Sequence, residues 1–343
     1  MSQLSVDCLK EIFEHLEKKS LHSCILVNRL WCRISIRILW RSVWNFKTLI
    51  SCLPDESKEI LYKNGIFLTS KPPLFNYVTF IISLSIYTID DIIKNTLKNY
   101  QSVTPQSLNY KKYIVTQEIY KLFMNQISLR SLYFRSYKII NIPNVPFISY
   151  PGAKDCLKCL TVLSCRSDIY PEFFYQLSQI CHNIQSLSIT FKKVISNGIT
   201  DLISVQQNLK YLYIMQSFEC ISLKDIIPTL TNLPNNLIKL DLYGRRHYIP
   251  LSFITKFTNL RELVLSFYNE AFRDFNKLQY VSFPNLKILR FEYEYPEIDI
   301  LIQFLKINGN NLKELYFKNP DISLNSTITK FCPNINLTNL NKF

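Results

Sequence analysis

Asn259-Leu-Arg-Glu-Leu-Val-Leu265 is the stretch that decides the fold, because the chain repeats its pattern of Asn followed by Leu-x-x-Leu-x-Leu. Related phrases begin at Asn183, Asn208, Asn236, Asn285 and Asn311. The middle apolar residues of eight such phrases lie at Leu132, Leu160, Leu187, Leu212, Leu240, Leu263, Leu289 and Leu315. Repeats of roughly 20 to 50 residues are typical of solenoids, propellers and arrays.

Each phrase predicts a short strand, because Leu-x-Leu alternates with period two and places its leucines on one face. A single strand cannot bury that face, whereas strands stacked about 4.8 Å apart extend it into a continuous core. The intervening segments 173–180 and 298–305 have apolar residues at helical spacing. The pattern resembles leucine-rich-repeat proteins over about two-thirds of the chain. We therefore expect an α/β solenoid with a strand plus a helix in each repeat.

Composition bounds the class of protein. A hydrophobic content of 48% excludes a mainly disordered chain, and five glycines without a Gly-rich run argue against a nucleotide-binding loop. The ten cysteines show no dense framework, which indicates free thiols in a reducing, cytoplasmic or nuclear compartment. The most apolar run, 77–89, is too short for a membrane span.

The net charge of +14 raises the question of nucleic-acid binding. Lys and Arg are scattered, however, and their longest runs are pairs such as Lys18-Lys19 and Arg245-Arg246. This scatter favours a solvated basic surface over a nucleic-acid site.

Residues 4–16 predict an amphipathic helix that Ser5 caps, and two further helices follow, beginning near Ser20 and at Asn28-Arg29. So small a helical module buries little surface and is only marginally stable alone. We therefore expect a partner that covers its apolar residues. The stretch 4–44 resembles the F-box, the module by which substrate receptors dock on the small adaptor of cullin-RING ubiquitin ligases. The matching residues are Leu4, Asp7, Leu9, Ile12, Phe13, Leu16, Leu21, Cys24, Leu26, Val27, Trp31 and Trp40. Ser5 stands where the family usually has Pro, so a capping hydroxyl replaces a residue that pre-sets the helix start.

Three domains are predicted: an F-box at 1–46, a joint with a helix at 55–63 over 47–75, and the solenoid at 76–343. The solenoid begins with an irregular strand at 81–86, carries an insertion at about 90–128 and ends in a truncated strand at 337–340. An alternative for the first module is a helical cap that only seals the repeats.

No residues pair as a nucleophile and a base, so we expect neither an active site nor a cofactor. Cys156 and Cys159 are the nearest approach to a metal site, but Cys156 falls at the Asn position of a repeat and Cys159 precedes Leu160, so the repeat explains both. Glu292, Glu294 and Glu297 near Tyr293 indicate an acidic binding patch and not acid/base catalysis.

The resemblance implies a non-catalytic substrate receptor of a cullin-RING ubiquitin ligase, in which the first module binds the adaptor and the repeats bind a protein substrate. The alternatives are a repeat scaffold without a ligase role and a basic RNA-binding solenoid. The adaptor-binding face and helical core are assigned to Leu4, Leu9, Ile12, Phe13, Leu16, Leu26, Val27 and Trp31.

The substrate is expected on the concave strand face, because such solenoids commonly use it. Later repeats place there Tyr211, Tyr213, Asp241, Tyr243, Glu262, Val264, Arg290, Glu292 and Tyr316. Earlier repeats offer small residues, namely Ser131, Thr161, Ser186 and Ser188. Tyr and Arg dominate interface energies, which favours the later half. Alternatively, these tyrosines reflect strand propensity alone.

Overall fold

The computed structural model describes residues 4–67, 71–100, 105–134, 146–317 and 328–335. The chain forms two compact units, Met1–Leu160 and Thr161–Phe343. The truncated strand predicted at 337–340 lies outside the described residues.

The first unit consists mainly of helices. Its elements are α1 (Val6–Glu14), α2 (Lys18–Ile25), α3 (Arg29–Leu39), α4 (Phe46–Ser51), α5 (Asp55–Lys63), β1 (Ser83–Ser85), α6 (Ile86–Tyr100), α7 (Pro105–Gln126), β2 (Ser131–Tyr133) and α8 (Ala153–Leu157). β1 and β2 are parallel, with Leu84 opposite Leu132. The helix predicted at 55–63 is confirmed as α5, and α6 and α7 occupy most of the stretch predicted as an insertion. The start predicted for the second helix is wrong, since α2 begins at Lys18 and Ser20 lies inside it.

The second unit is a parallel sheet whose strands follow one another in chain order. Its elements are β3 (Val162–Arg166), α9 (Pro171–Ile180), β4 (Ser186–Phe191), α10 (Gly198–Ser204), β5 (Tyr211–Gln216), α11 (Ile227–Asn232), β6 (Lys239–Arg245), β7 (Glu262–Phe267), β8 (Ile288–Phe291), α12 (Ile298–Asn308) and β9 (Glu314–Phe317). One leucine of every strand aligns with that of the next, namely Leu163, Leu187, Leu212, Leu240, Leu263, Leu289 and Leu315. This stacking confirms an α/β solenoid of the leucine-rich-repeat type.

The predicted register is wrong in one repeat. Leu163, and not Leu160, aligns with Leu187. Leu157, Leu160 and Leu163 have equal spacing, so Leu-x-x-Leu fits the sequence in two ways. Thr161 therefore precedes β3 and is not one of its outward residues. By the same shift Cys159, and not Cys156, occupies the position that Asn183 has before Ile184.

The helical half of the repeat also varies. The connections from β6 to β7 and from β7 to β8 contain short 3-10 helices, Ser252–Lys256, Asn269–Phe272 and Phe275–Lys277, in place of an α-helix. Large apolar residues still fill the core here, because Phe253, Phe257 and Phe275 are fully buried.

Candidate interaction surfaces

The first three helices share a small core. Its residues are Leu9, Phe13, Leu21, Cys24, Ile34, Ile36, Leu39 and Trp40. Leu16 and Trp31 pack partly buried against it, and the Phe13 and Trp31 rings meet edge to face with their centroids 5.0 Å apart. Leu9, Phe13, Leu16 and Trp31 are thus core residues of the module.

The other predicted docking residues point to solvent. Leu4, Ile12, Leu26 and Val27 are 55%, 46%, 87% and 56% exposed. Leu26 and Val27 form the turn between α2 and α3, while Ile12 lies on the face of α1 that the core leaves uncovered. Val6, Leu30 and Trp44 are also exposed. These seven exposed apolar side chains are the candidates for a protein interaction site on the module.

Ser5 caps the first helix as predicted. Its Oγ accepts a hydrogen bond from the backbone N–H of Cys8 at 3.2 Å. Serine therefore satisfies a backbone donor that the usual proline would leave to solvent, and the helix starts without proline.

In the second unit the outward residues of β5 to β9 form a partly exposed surface, here called the open face. Its first row is Tyr211, Lys239, Glu262, Ile288 and Glu314, and its second is Tyr213, Asp241, Val264, Arg290 and Tyr316. A third row contains Tyr243 and Ser266, and Glu292 lies next to it. All the residues predicted to bind substrate thus lie on one sheet face.

One member of that predicted set differs from the others. Val264 is only 3% exposed although it faces outward. Asp241 and Arg290 flank it in the second row, and the long side chain of Arg290 can cover so short a residue. Val264 therefore offers a partner almost no contact area.

Ion pairs cross the open face between adjacent strands. Lys239 Nζ lies 2.8 Å from Glu262 Oε1, and Arg290 Nη2 lies 3.1 Å from Glu314 Oε2. Ser266 Oγ donates to Glu292 Oε2 at 2.7 Å. These contacts fix three of the four carboxylates of the face.

Asp241 is the fourth carboxylate. It accepts no side-chain hydrogen bond from the part of the chain that the structure describes. Burial raises its pKa to about 6, while Lys239 and Arg290 act to lower it and Glu292 and Glu262 to raise it further. Among the described residues Asp241 therefore lacks side-chain hydrogen-bond donors, and a bound partner can supply them.

Asp241 should make stability depend on pH. Its folded pKa of about 6 lies above the roughly 3.9 of an unfolded Asp, so the native state holds the proton more tightly. The stabilisation from this proton is present below about pH 4 and is lost as the pH rises through about 6. Asp241→Asn should therefore raise the free energy of unfolding at pH 7.5 by about 1 kcal/mol, after allowance for solvent screening.

Urea unfolding of the wild type and Asp241→Asn at pH 4 and pH 7.5 measures this effect. The exposed Asp225→Asn serves as the control and should change stability by less than about 0.5 kcal/mol at both pH values. If Asp241→Asn changed the free energy of unfolding equally at the two pH values, the raised pKa assigned to Asp241 would be contradicted.

A tyrosine cluster lies at the carboxyl ends of β6 to β8. The hydroxyls of Tyr243 and Tyr293 are 2.8 Å apart, and the rings of Tyr268 and Tyr293 stack at 5.0 Å. The Arg246 guanidinium lies 5.7 Å from the Tyr268 ring centroid. The sequence prediction omitted Tyr268, because it follows the strand and has no place in the repeat phrase. Its ring extends the aromatic surface beyond the open face.

The two cysteines considered for metal binding differ in exposure. Cys156 is buried, which raises the pKa of its thiol to about 12, and Cys159 is exposed. Across the described ranges no group of three or more His, Cys, Asp or Glu side chains could hold a metal ion. None of the helices in those ranges is long and apolar enough to cross a membrane.

Comparison with known proteins gives only weak likenesses. No protein-family model matches the chain. No curated protein matches it. Among solved structures, the leucine-rich repeat-containing protein LegL7 from Legionella pneumophila is 11% identical, with a TM-score of 0.38, over 65% of this chain and 79% of that one. A structure of the Rad7 and Elc1 complex in yeast is 14% identical, with a TM-score of 0.34, over 80% and 74%. Neither likeness is close enough to transfer a function.

Proposed function

We propose that the protein is a non-catalytic substrate receptor of a cullin-RING ubiquitin ligase. The helical module at 1–46 docks on the small adaptor, and the repeats hold a target protein. The exposed apolar side chains of the module carry this proposal, because Ile12, Leu26 and Val27 are unburied while Leu9 and Phe13 beside them are core. A helical cap that only covered the end of the repeats would need no such exposed apolar side chains.

The receptor role requires no chemistry from this chain. Tethering a target beside a ubiquitin donor raises its effective concentration, so transfer becomes nearly intramolecular. Such a receptor acts in the cytoplasm or nucleus. A repeat scaffold without a ligase role shares the open face but does not bind the adaptor.

Adaptor binding should be lost in the double variant Ile12→Asp/Leu26→Asp. Both residues are exposed, so the fold should tolerate the change, whereas a carboxylate buried without a partner at an interface costs several kcal/mol. We expect at least about a hundredfold weaker binding of the full chain to purified adaptor. Leu16, which is partly buried, is less suitable because its replacement also disturbs the core.

The matched control is Val194→Asp/Ile221→Asp, which places the same charges at two exposed apolar positions of the second unit. It should bind adaptor like the wild type, and both doubles should keep the wild-type thermal midpoint. Absence of adaptor binding by the wild type refutes the receptor role and leaves the scaffold. Equal binding by the three proteins refutes the assignment of Ile12 and Leu26 to the docking face.

A further inference from the structure

Four basic residues of the second unit occupy one position of the repeat, directly before a strand. Lys210, Arg261, Lys287 and Lys313 each follow an Asn-Leu pair, and Ile238 holds this position before β6. Arg261, Lys287 and Lys313 lie 26 residues apart in sequence, and Lys210 lies 51 residues before Arg261. No run of basic residues therefore marks them.

Backbone hydrogen bonds place these residues side by side. The N–H of Ile238 donates to the carbonyl of Lys210 at 2.8 Å, and that of Arg261 to the carbonyl of Ile238 at 2.7 Å. The N–H of Lys287 donates to Arg261, and that of Lys313 to Lys287, each at 2.8 Å. Because neighbouring strands lie about 4.8 Å apart, Arg261, Lys287 and Lys313 are consecutive cations and Lys210 lies two strands away. We call these four residues the basic ladder.

The basic ladder lacks counter-charges. Within the described residues, none of its four side chains makes an ion pair or a hydrogen bond, and all but the half-buried Lys287 are exposed. The nearest carboxylates in sequence, Glu262 and Glu314, pair instead with Lys239 and Arg290. Like charges on adjacent strands are destabilising, so the ladder does not serve the fold. An anionic partner would relieve this repulsion.

The neighbouring rows indicate which kind of anion fits. Asp241 and Glu292 lie on the same sheet as the ladder, among half-buried tyrosines such as Tyr213 and Tyr316. A nucleic-acid backbone is negative along its whole length and would be repelled by these carboxylates. A polypeptide can place acidic side chains on the ladder and apolar or basic ones on the adjoining rows.

We propose that the basic ladder binds an extended acidic segment of a target protein. The segment runs across the strands, and its Asp and Glu side chains pair with Arg261, Lys287, Lys313 and Lys210. The span from Lys210 to Lys313 is four strand spacings, or about 19 Å, which an extended peptide covers in about six residues. This inference names the class of target for the receptor proposed above and rests on that function.

The test uses the full chain and a fluorescent peptide of about twelve residues that alternates Glu and Ser, long enough to span the ladder. Removing three ion pairs with Arg261→Gln/Lys287→Gln/Lys313→Gln should weaken binding by about tenfold or more in anisotropy titrations at an ionic strength of about 0.15 M. The matched control Lys193→Gln/Lys224→Gln/Lys306→Gln removes the same charge from exposed positions elsewhere in the unit. It should change the affinity by less than about twofold, since exposed charges beyond a Debye length are screened.

Three results overturn the proposal: no binding of the acidic peptide by the wild type, equal losses in the two triple variants, or tighter ladder-dependent binding of a uridine RNA oligomer. Adaptor binding is measured on the same proteins and should be unchanged in both variants. A wild type that binds the peptide but not the adaptor refutes the ligase role alone. One that binds the adaptor but not the peptide refutes the ladder assignment alone.

Discussion

Leu240→Ala is expected to lower the free energy of unfolding of the second unit by about 2 to 5 kcal/mol. Leu240 is fully buried, and it lies opposite Leu212 on one side and Leu263 on the other. Truncation removes the transfer free energy of the lost side-chain atoms. It also leaves a cavity, because the flanking strands are held by backbone hydrogen bonds and can close only partly around it. Repeats of a solenoid contact their neighbours through such buried residues, so the loss falls on the stacking itself.

Urea unfolding followed by far-ultraviolet circular dichroism measures this change, with the transition of the second unit fitted separately. Ile221→Ala, at a position 88% exposed, is the control and should cost less than about 0.5 kcal/mol. A loss below about half a kcal/mol for Leu240→Ala would show that the strand register is misplaced.

The strand register of the later repeats was predictable from sequence because one local pattern determines it. From Leu187 onward every leucine assigned to the middle of a strand lies in the aligned row. Period two leaves a single buried face, and a shift by one residue would expose all the leucines. The failure at Leu160 has the same cause, since the pattern there fits two registers equally well.

The docking surface was only partly predictable. Helical spacing grouped Leu9, Ile12, Phe13 and Leu16 on one face of the helix predicted over residues 4–16, yet Ile12 is exposed while Leu9 and Phe13 are buried. An apolar stripe is wider than the contact with one neighbouring helix, so periodicity alone cannot separate core from docking residues. The packing of α3 against α1 decides it, as the contact between Phe13 and Trp31 shows.

The basic ladder escaped the sequence prediction for a different reason. Charge was sought in contiguous runs, whereas a solenoid brings together residues that lie one repeat apart. Lys287 and Lys313 are 26 positions apart and adjacent in the sheet. In a repeat protein, a cluster of charge is found by comparing equivalent positions of the aligned repeats and not by searching for runs along the chain.

A buried amide is the second feature on which the stacking depends. The Gln206 side chain, which follows α10, accepts a hydrogen bond from the N–H of Ile184 at 2.9 Å. Its Nε2 donates to the carbonyls of Cys181 at 2.7 Å and of Leu202 at 2.9 Å. One side chain thus joins its own helix to the turn that precedes β4.

Asn308, at the end of α12, repeats this arrangement. It accepts from the N–H of Phe283 at 2.7 Å and donates to the carbonyls of Val281 at 2.9 Å and Phe304 at 3.1 Å. The turns before β4 and β8 carry backbone groups that the sheet does not pair. In both repeats a buried amide supplies the missing partners.

Gln206→Leu should therefore destabilise the second unit by at least about 3 kcal/mol. The change leaves one N–H and two carbonyls in the core without hydrogen-bond partners, and each unsatisfied group costs roughly 1 to 3 kcal/mol. Gln207→Leu is the matched control, since Gln207 is exposed and should tolerate the same change within about 0.5 kcal/mol. Hydrogen exchange of the Ile184 amide gives a second readout, and its protection should fall in Gln206→Leu alone. Equal stability of the two variants would mean that water replaces the amide, and the turn before β4 would then not depend on Gln206.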